Sequence, residues 1–173
     1  HASGDLGMRP LLRFSPNACT LAINALKKGA KILTDTEMAK AAVSSVAKRT
    51  LNSNVQCILE MAPESTDVMS TTRSAIAMRN MWLELEKKEG ELEPPIVVIG
   101  SAPTALMALL DLIKEGKKKP SLIIGMPVGF VGVSESKTRL LRSHCSHIVL
   151  KGSKGGASLA GATLNALLRA SDY

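Results

Sequence analysis

Two runs, Ile96-Val97-Val98-Ile99 and Leu122-Ile123-Ile124-Gly125, restrict the fold more than anything else in this chain. Both are uncharged and largely β-branched, so each puts apolar side chains on both faces of a strand. Strands of that kind are buried on both sides, the mark of a parallel sheet covered by helices. Shorter stretches at Lys31–Thr34, Val55–Leu59 and Ile148–Leu150 read the same way. Between them lie segments of helical period: Pro16–Lys28, Glu37–Lys48, Thr71–Lys88, Pro103–Lys114, Ser136–Ser143 and Ala157–Ala170. The first is punctuated by Ser15 as N-cap, Pro16 at the first helical position and Gly29 just past the end; Gly116 closes the fourth likewise. Repeated strand–helix–strand units predict an α/β fold. It is a three-layer, doubly wound domain with a mostly parallel sheet of about five strands in flavodoxin-like order. With 173 residues and no linker, repeat or low-complexity tract, residues 1–173 read as a single domain.

Composition narrows the function. A chain with 45% hydrophobic and 21% charged residues is globular. No apolar run reaches the roughly 18 residues of a membrane span, and the start lacks a secretory signal pattern. A cytoplasmic protein with no membrane partner is expected. Cys19, Cys57 and Cys145 have neither zinc-ligand nor redox-motif spacing, so they read as structural thiols. His1, His144 and His147 make no metal site with their neighbours in sequence. The net charge of +7 calls for an acidic partner. Stacking platforms for nucleic acid are missing, since Phe14, Trp82, Phe130 and Tyr173 are scattered. Lys87-Lys88 and Lys117-Lys118-Lys119 read as solvated helix ends, and a small polyanion fits the charge as well as a nucleic acid does.

In open parallel sheets, ligands bind outside the carboxyl ends of the strands. That edge would carry Asp35-Thr36, Glu60–Pro63, Gly100–Thr104, Met126–Lys137 and Gly152–Ser158. No charge occurs from Ser121 to Val131, so Pro127, Gly129, Phe130 and Val131 form an apolar wall for a flat, greasy ligand. Gly100–Thr104 is a strand-to-helix turn whose free N–H groups either cap the helix or hold an anion. Gly152–Ser158 lacks the Gly-Lys-Ser/Thr ending of a nucleotide loop, leaving a flexible turn or a carboxylate holder. Arg73, beside Thr72 at a helix start, opposes the macrodipole; it either pairs with Glu64 or Asp67 or grips a ligand carboxylate. His1 and Asp5 are the one acid–base pair near the start.

The ordered set His1-Ala2-Ser3-Gly4-Asp5, Leu12–Pro16, Thr34–Met38, Thr71–Ala75, Gly100–Leu106, Pro127–Val131 with Glu135-Ser136-Lys137, Gly155-Gly156 and Asn165-Ala166 spans nearly the whole chain. As a set it resembles the precorrin-8X methylmutase family, the precorrin isomerases of cobalamin biosynthesis. The resemblance implies a flavodoxin-like homodimer with active sites at the subunit interface. It also implies the reaction, migration of a methyl group between adjacent carbons of a contracted tetrapyrrole. Precorrin-8X becomes hydrogenobyrinate, or the cobalt-bearing equivalent becomes cobyrinate. No cofactor is implied, and cobalt enters only within the substrate. His1 takes the place of the family's catalytic histidine, protonating or hydrogen-bonding a pyrrole-type nitrogen. Arg73 takes the place of its Thr-Arg-Ser-Ala arginine, as a clamp on a substrate carboxylate. Asp5, Thr72, Ser101, Thr104, Pro127, Gly129, Phe130, Val131, Ser136 and Lys137 are expected to supply the remaining contacts. The family has Asn where Ser101 stands, often Ser where Ala157 stands, and a segment before the histidine. The alternative on the same fold is a non-catalytic tetrapyrrole carrier; a nucleotide or phosphate binder is a second.

Overall fold

Side chains from each continuous apolar run alternate between two cores, one on either face of a single sheet. The computed structural model describes residues 2–64, 71–87 and 93–172. Its strands are β1 (Leu12–Phe14), β2 (Ile32–Thr34), β3 (Val55–Cys57), β4 (Ile96–Ile99), β5 (Leu122–Gly125) and β6 (His147–Leu150). Its helices are α1 (Ala18–Lys27), α2 (Glu37–Arg49), α3 (Arg73–Lys87), α4 (Pro103–Lys114), α5 (Val133–Leu141) and α6 (Ala157–Ser171). Short 3-10 helices cover Leu6–Leu11 and Ile58–Met61. Val97, Ile99, Ile123 and Val149 pack against α3, α4 and α5, with Trp82, Met78, Leu106 and Leu140 beneath them. Ile96, Val98, Ile124 and Ile148 face α1, α2 and α6, where Leu26, Val43, Leu164 and Leu168 close the second layer.

The parallel strands run in the order β3-β2-β4-β5-β6. Renumbered along the chain, that is the flavodoxin-like order 2-1-3-4-5. The predicted α/β class and parallel sheet are therefore borne out. A sixth strand, β1, joins the β6 edge antiparallel and was not expected. It is only three residues long, and its outer edge is blunted by shortness and by Arg13.

Several boundaries also differ. Ser15 does not cap α1: its hydroxyl accepts the His147 N–H at 2.9 Å, extending the β1–β6 pairing, and Asn17 precedes the helix instead. The stretch Val55–Leu59 ends as a strand at Cys57 and tightens into the 3-10 turn. α3 begins at Arg73, with Thr72 Oγ1 accepting the Ala75 N–H at 3.2 Å; Lys88 lies outside the described residues. α5 begins three residues before Ser136, at Val133. Among the described residues no helix is long and apolar enough to cross a membrane.

Candidate active site

Strand order reverses between β2 and β4, because α2 covers one face of the sheet and α4 the other. Ligands of doubly wound sheets bind at that reversal. Here Asp35, the residue after β2, fills it. Its side chain is fully buried. Oδ2 accepts the N–H groups of Gly100 (3.0 Å), Ser101 (2.6 Å) and Ala102 (2.7 Å), and Thr36 Oγ1 donates to Oδ1 at 3.3 Å. Burial pushes the carboxyl above the ordinary aspartate value, while those hydrogen bonds pull it back. The turn before α4, expected to receive a substrate carboxylate, already holds one belonging to the chain itself. The same contact occupies the crevice that a phosphate binder of this topology would use.

Three loops then lock together along the carboxyl edge. A Cβ on Gly100 would lie 2.6 Å from Ala157 Cα, so the first turn of α6 sits directly on that loop. A Cβ on Gly155 would lie 2.1 Å from Met126 O; only glycine lets the two backbones approach so closely. Gly156 N–H donates to Met126 O at 2.9 Å, and Gly129 N–H donates to Ser153 O at 3.0 Å.

Ser136 and Lys137 lie beneath these loops and do not face outward. Ser136 is fully buried and donates to Val133 O at 2.9 Å. Lys137 is 1% exposed, and its Nζ donates to Gly152 O and Lys154 O, each at 2.7 Å. Burial lowers its pKa to about 8. The expectation that these two side chains grip a substrate's acidic arms is corrected: both are spent on the protein's own backbone.

Asp5 faces the same edge from the amino-terminal segment. Oδ1 accepts the Gly7 N–H at 2.8 Å, starting the 3-10 turn, and Oδ2 pairs with Lys154 Nζ at 2.6 Å. The Lys154 hydrogen bond, then that of Gly7, hold its carboxyl below the ordinary value. Beside it lies an open, largely apolar groove of about 340 Å³, walled by Leu6, Met8, Met126, Leu150 and Leu159. His1 lies outside the described residues, although Ala2 and Ser3 line the rim of that groove.

At the far end of the row, Thr104 Oγ1 lies 2.6 Å from Thr72 Oγ1 and 3.2 Å from Ser74 Oγ. Three hydroxyls thus meet where α3 and α4 begin. Arg73 is exposed and bonds to none of the described residues; Asp67, one partner considered for it, lies outside them. Gly132, ending the β5–α5 loop, would bring a Cβ to 3.9 Å from Pro103, so that loop bridges the hydroxyl cluster to the Lys154 loop. Within that loop Pro127 is buried and Gly129 partly so. Phe130 and Val131, in contrast, are 95% and 88% exposed.

Among the described residues no three of His, Cys, Asp or Glu converge as metal ligands. Cys57 is buried, its thiol pushed up to about 11 by desolvation. Three residues at this edge have contacts that the sequence motifs around them did not assign. Asp35 acts on backbone more than sixty positions downstream, which no local pattern signals. Ser74 stood inside a motif already singled out, and Lys154 inside a loop valued only for its glycines.

Comparison with known proteins points one way. A family model described as precorrin-8X methylmutase matches residues 1–170. The precorrin-8X methylmutase of Pseudomonas aeruginosa is 40% identical over 171 residues, covering 96% of this chain and 78% of that protein. A cobalt-precorrin-8 methylmutase of Synechocystis is 32% identical, covering 97% of this chain and 80% of that protein. Among solved structures, the precorrin-8X methyl mutase of Thermus thermophilus superposes with a TM-score of 0.81 at 35% identity, over 99% of this chain and 81% of that one.

Proposed function

The chain belongs to the precorrin-8X methylmutase family, and from that premise we propose how its carboxyl edge carries out the methyl shift. The activity is isomerisation within cobalamin biosynthesis, on a contracted tetrapyrrole bearing many carboxylate arms. We take residues 1–173 as a single domain of a cytoplasmic protein that works as a homodimer.

The observation that carries the reading is the continuous row from Asp5 through Lys154, the β5–α5 loop and Pro103 to the Thr72–Ser74–Thr104 hydroxyls. It matches a flat, polyanionic ligand in three ways. Arg73, with no partner among the described residues, offers a planar fork for a carboxylate, and the hydroxyls beside it add neutral donors. Phe130 and Val131 present bare apolar surface against which a macrocycle face can lie. The groove beside Asp5 is largely apolar and has Ala2 and Ser3 on its rim, so it offers apolar surface next to the start of the described chain. In this reading His1 protonates or hydrogen-bonds a ring nitrogen, drawing electron density so that the methyl group migrates. Asp5, already anchored at both oxygens, fixes the segment that carries it. General-acid help of this type is worth about 10²–10⁴-fold. The exposed Leu6, Phe130 and Val131 also support the homodimer, since bare apolar surface at a site's rim suits a subunit boundary.

The test is direct turnover. Mixing the protein with precorrin-8X is expected to give the altered visible spectrum of the product. His1→Ala is expected to abolish conversion while leaving circular dichroism unchanged. Full activity in that variant would overturn the assignment of His1. Tight binding of hydrogenobyrinate without any conversion by the wild type would favour the carrier alternative.

A further inference from the structure

Lys137 is a buried ammonium with no carboxylate beside it among the described residues; burial alone governs its acidity. An ammonium has three donors and no acceptor, so two converging carbonyls suit it well. We propose that Lys137 is a positioning residue: it clamps the Gly152–Lys154 backbone and, through the Lys154 side chain, sets Asp5 and the His1 segment for the reaction. This deepens the isomerase reading above and rests on it.

The geometry runs in one direction. Three successive carbonyls of this loop each meet a donor from another element. Gly152 O and Lys154 O accept from Lys137 Nζ at 2.7 Å, and Ser153 O between them accepts from Gly129 N–H at 3.0 Å. The loop has no alternative seat, because Gly155 is pressed against Met126 O from the other side. With its backbone fixed below, Lys154 sends its side chain outward, and Nζ reaches Asp5 Oδ2 at 2.6 Å. Asp5 Oδ1 is bound at Gly7, so both carboxylate oxygens are directed by named donors. A path of two contacts, Lys137 to Lys154 and Lys154 to Asp5, therefore joins the interior of α5 to the amino-terminal segment. Lys137 is 1% exposed, so it acts through this path and not through an exposed contact.

A double-mutant cycle tests this. Turnover of precorrin-8X is measured for the wild type, Lys137→Met, Lys154→Met and the double variant. Each single change is expected to lower kcat/KM about tenfold or more, mainly in kcat, because misplacement of a reacting group costs rate rather than affinity. The double variant is expected to fall no more than about twofold below the worse single one, as for two residues acting along one path. Losses that multiply in the double variant would overturn the proposal. A second readout needs no activity. NMR titration of the Asp5 carboxyl is expected to show its depressed pKa moving up towards the ordinary value in both single variants. An unchanged Asp5 titration in Lys137→Met overturns the relay. An inactive wild type whose variants still shift Asp5 overturns only the isomerase reading. If the Met variant does not fold, Lys137→Gln, which keeps an amide donor, is carried through both measurements.

Discussion

The loops after β4 and β6 look alike in sequence, each leaving a strand through small residues and opening a helix. Inside the protein they are opposites. The β4 loop turns three N–H groups inward, and the Asp35 carboxylate receives them. The β6 loop turns carbonyls inward, and the Lys137 ammonium donates to two of them. The direction of the backbone dipoles thus decides the sign of the buried charge each loop takes. Both charges come from other elements, so each also ties two elements together. Neither is left for a ligand. The carboxylate recognition proposed above therefore rests on groups that point outward, Arg73 and the Thr72–Ser74–Thr104 hydroxyls.

The sharpest way to break this pairing is at Asp35. Asp35→Ala strips one acceptor from three N–H groups, two of them fully buried. An orphaned buried donor costs about 1–3 kcal/mol, so a loss of about 3 kcal/mol or more is expected in chemical denaturation. Asp35→Asn keeps an oxygen acceptor and removes a buried charge, and is expected to cost less than about 2 kcal/mol. The difference in stability between wild type and Asp35→Asn also carries a pH signature. The folded pKa lies above the unfolded value of 3.8, so the wild type's contribution is fully present below pH 3.8 and is lost as pH rises through the folded value. A flat difference curve would mean that Asp35 is no more burdened by burial than in the unfolded chain.

Lys137 gives the mirror experiment, with a smaller effect at neutral pH. Its folded pKa of about 8 lies below the ordinary 10.5. Between those values the unfolded chain binds the extra proton, so stability rises with pH across that window. The contribution is fully present above pH 10.5 and is lost as pH falls through about 8. Subtracting the curve for Lys137→Met removes the titration of the other lysines. The wild type is expected to gain on the variant as pH rises from about 8 to 10.5. A difference that shrinks over that range would mean the ammonium is better solvated by Gly152 O and Lys154 O than by water.

Much of the frame was legible because it depends on local periodicity. The four-residue apolar runs became the central strands, and helical spacing placed every helix to within a few residues. β1 was not legible: three residues after a proline-containing turn, carrying Arg13 and an exposed Phe14, have no pattern to separate them from loop. The burial of Lys137 does have a signal in the sequence. Val133, Ser136, Lys137 and Leu140 are all buried, and their i, i+3, i+4, i+7 spacing marks the inward face of α5. Beginning the helix at Ser136 hid that phase, and so a buried tether looked like an exposed cation. Asp35 had no such signal. Its partners are set by the sheet crossing from β2 to β4, a long-range fact that composition and spacing do not encode.

Phe130 supplies the contrast that completes the comparison. Asp35 and Lys137 are enclosed, so changing either is expected to move stability. Phe130 is 95% exposed, and removing its ring uncovers no core. Phe130→Ser is therefore expected to change unfolding free energy by less than about 0.5 kcal/mol. An aromatic face packed on a macrocycle is worth about 0.5–1.5 kcal/mol beyond its buried area, so KM should rise about threefold to tenfold. Analytical ultracentrifugation of the same variant separates the two uses of a bare ring. A raised KM at unchanged mass assigns Phe130 to the substrate wall, whereas a drop in mass assigns it to the subunit boundary. If KM and mass both stay as in the wild type, the apolar loop has no part in either, and the site ends at Pro103.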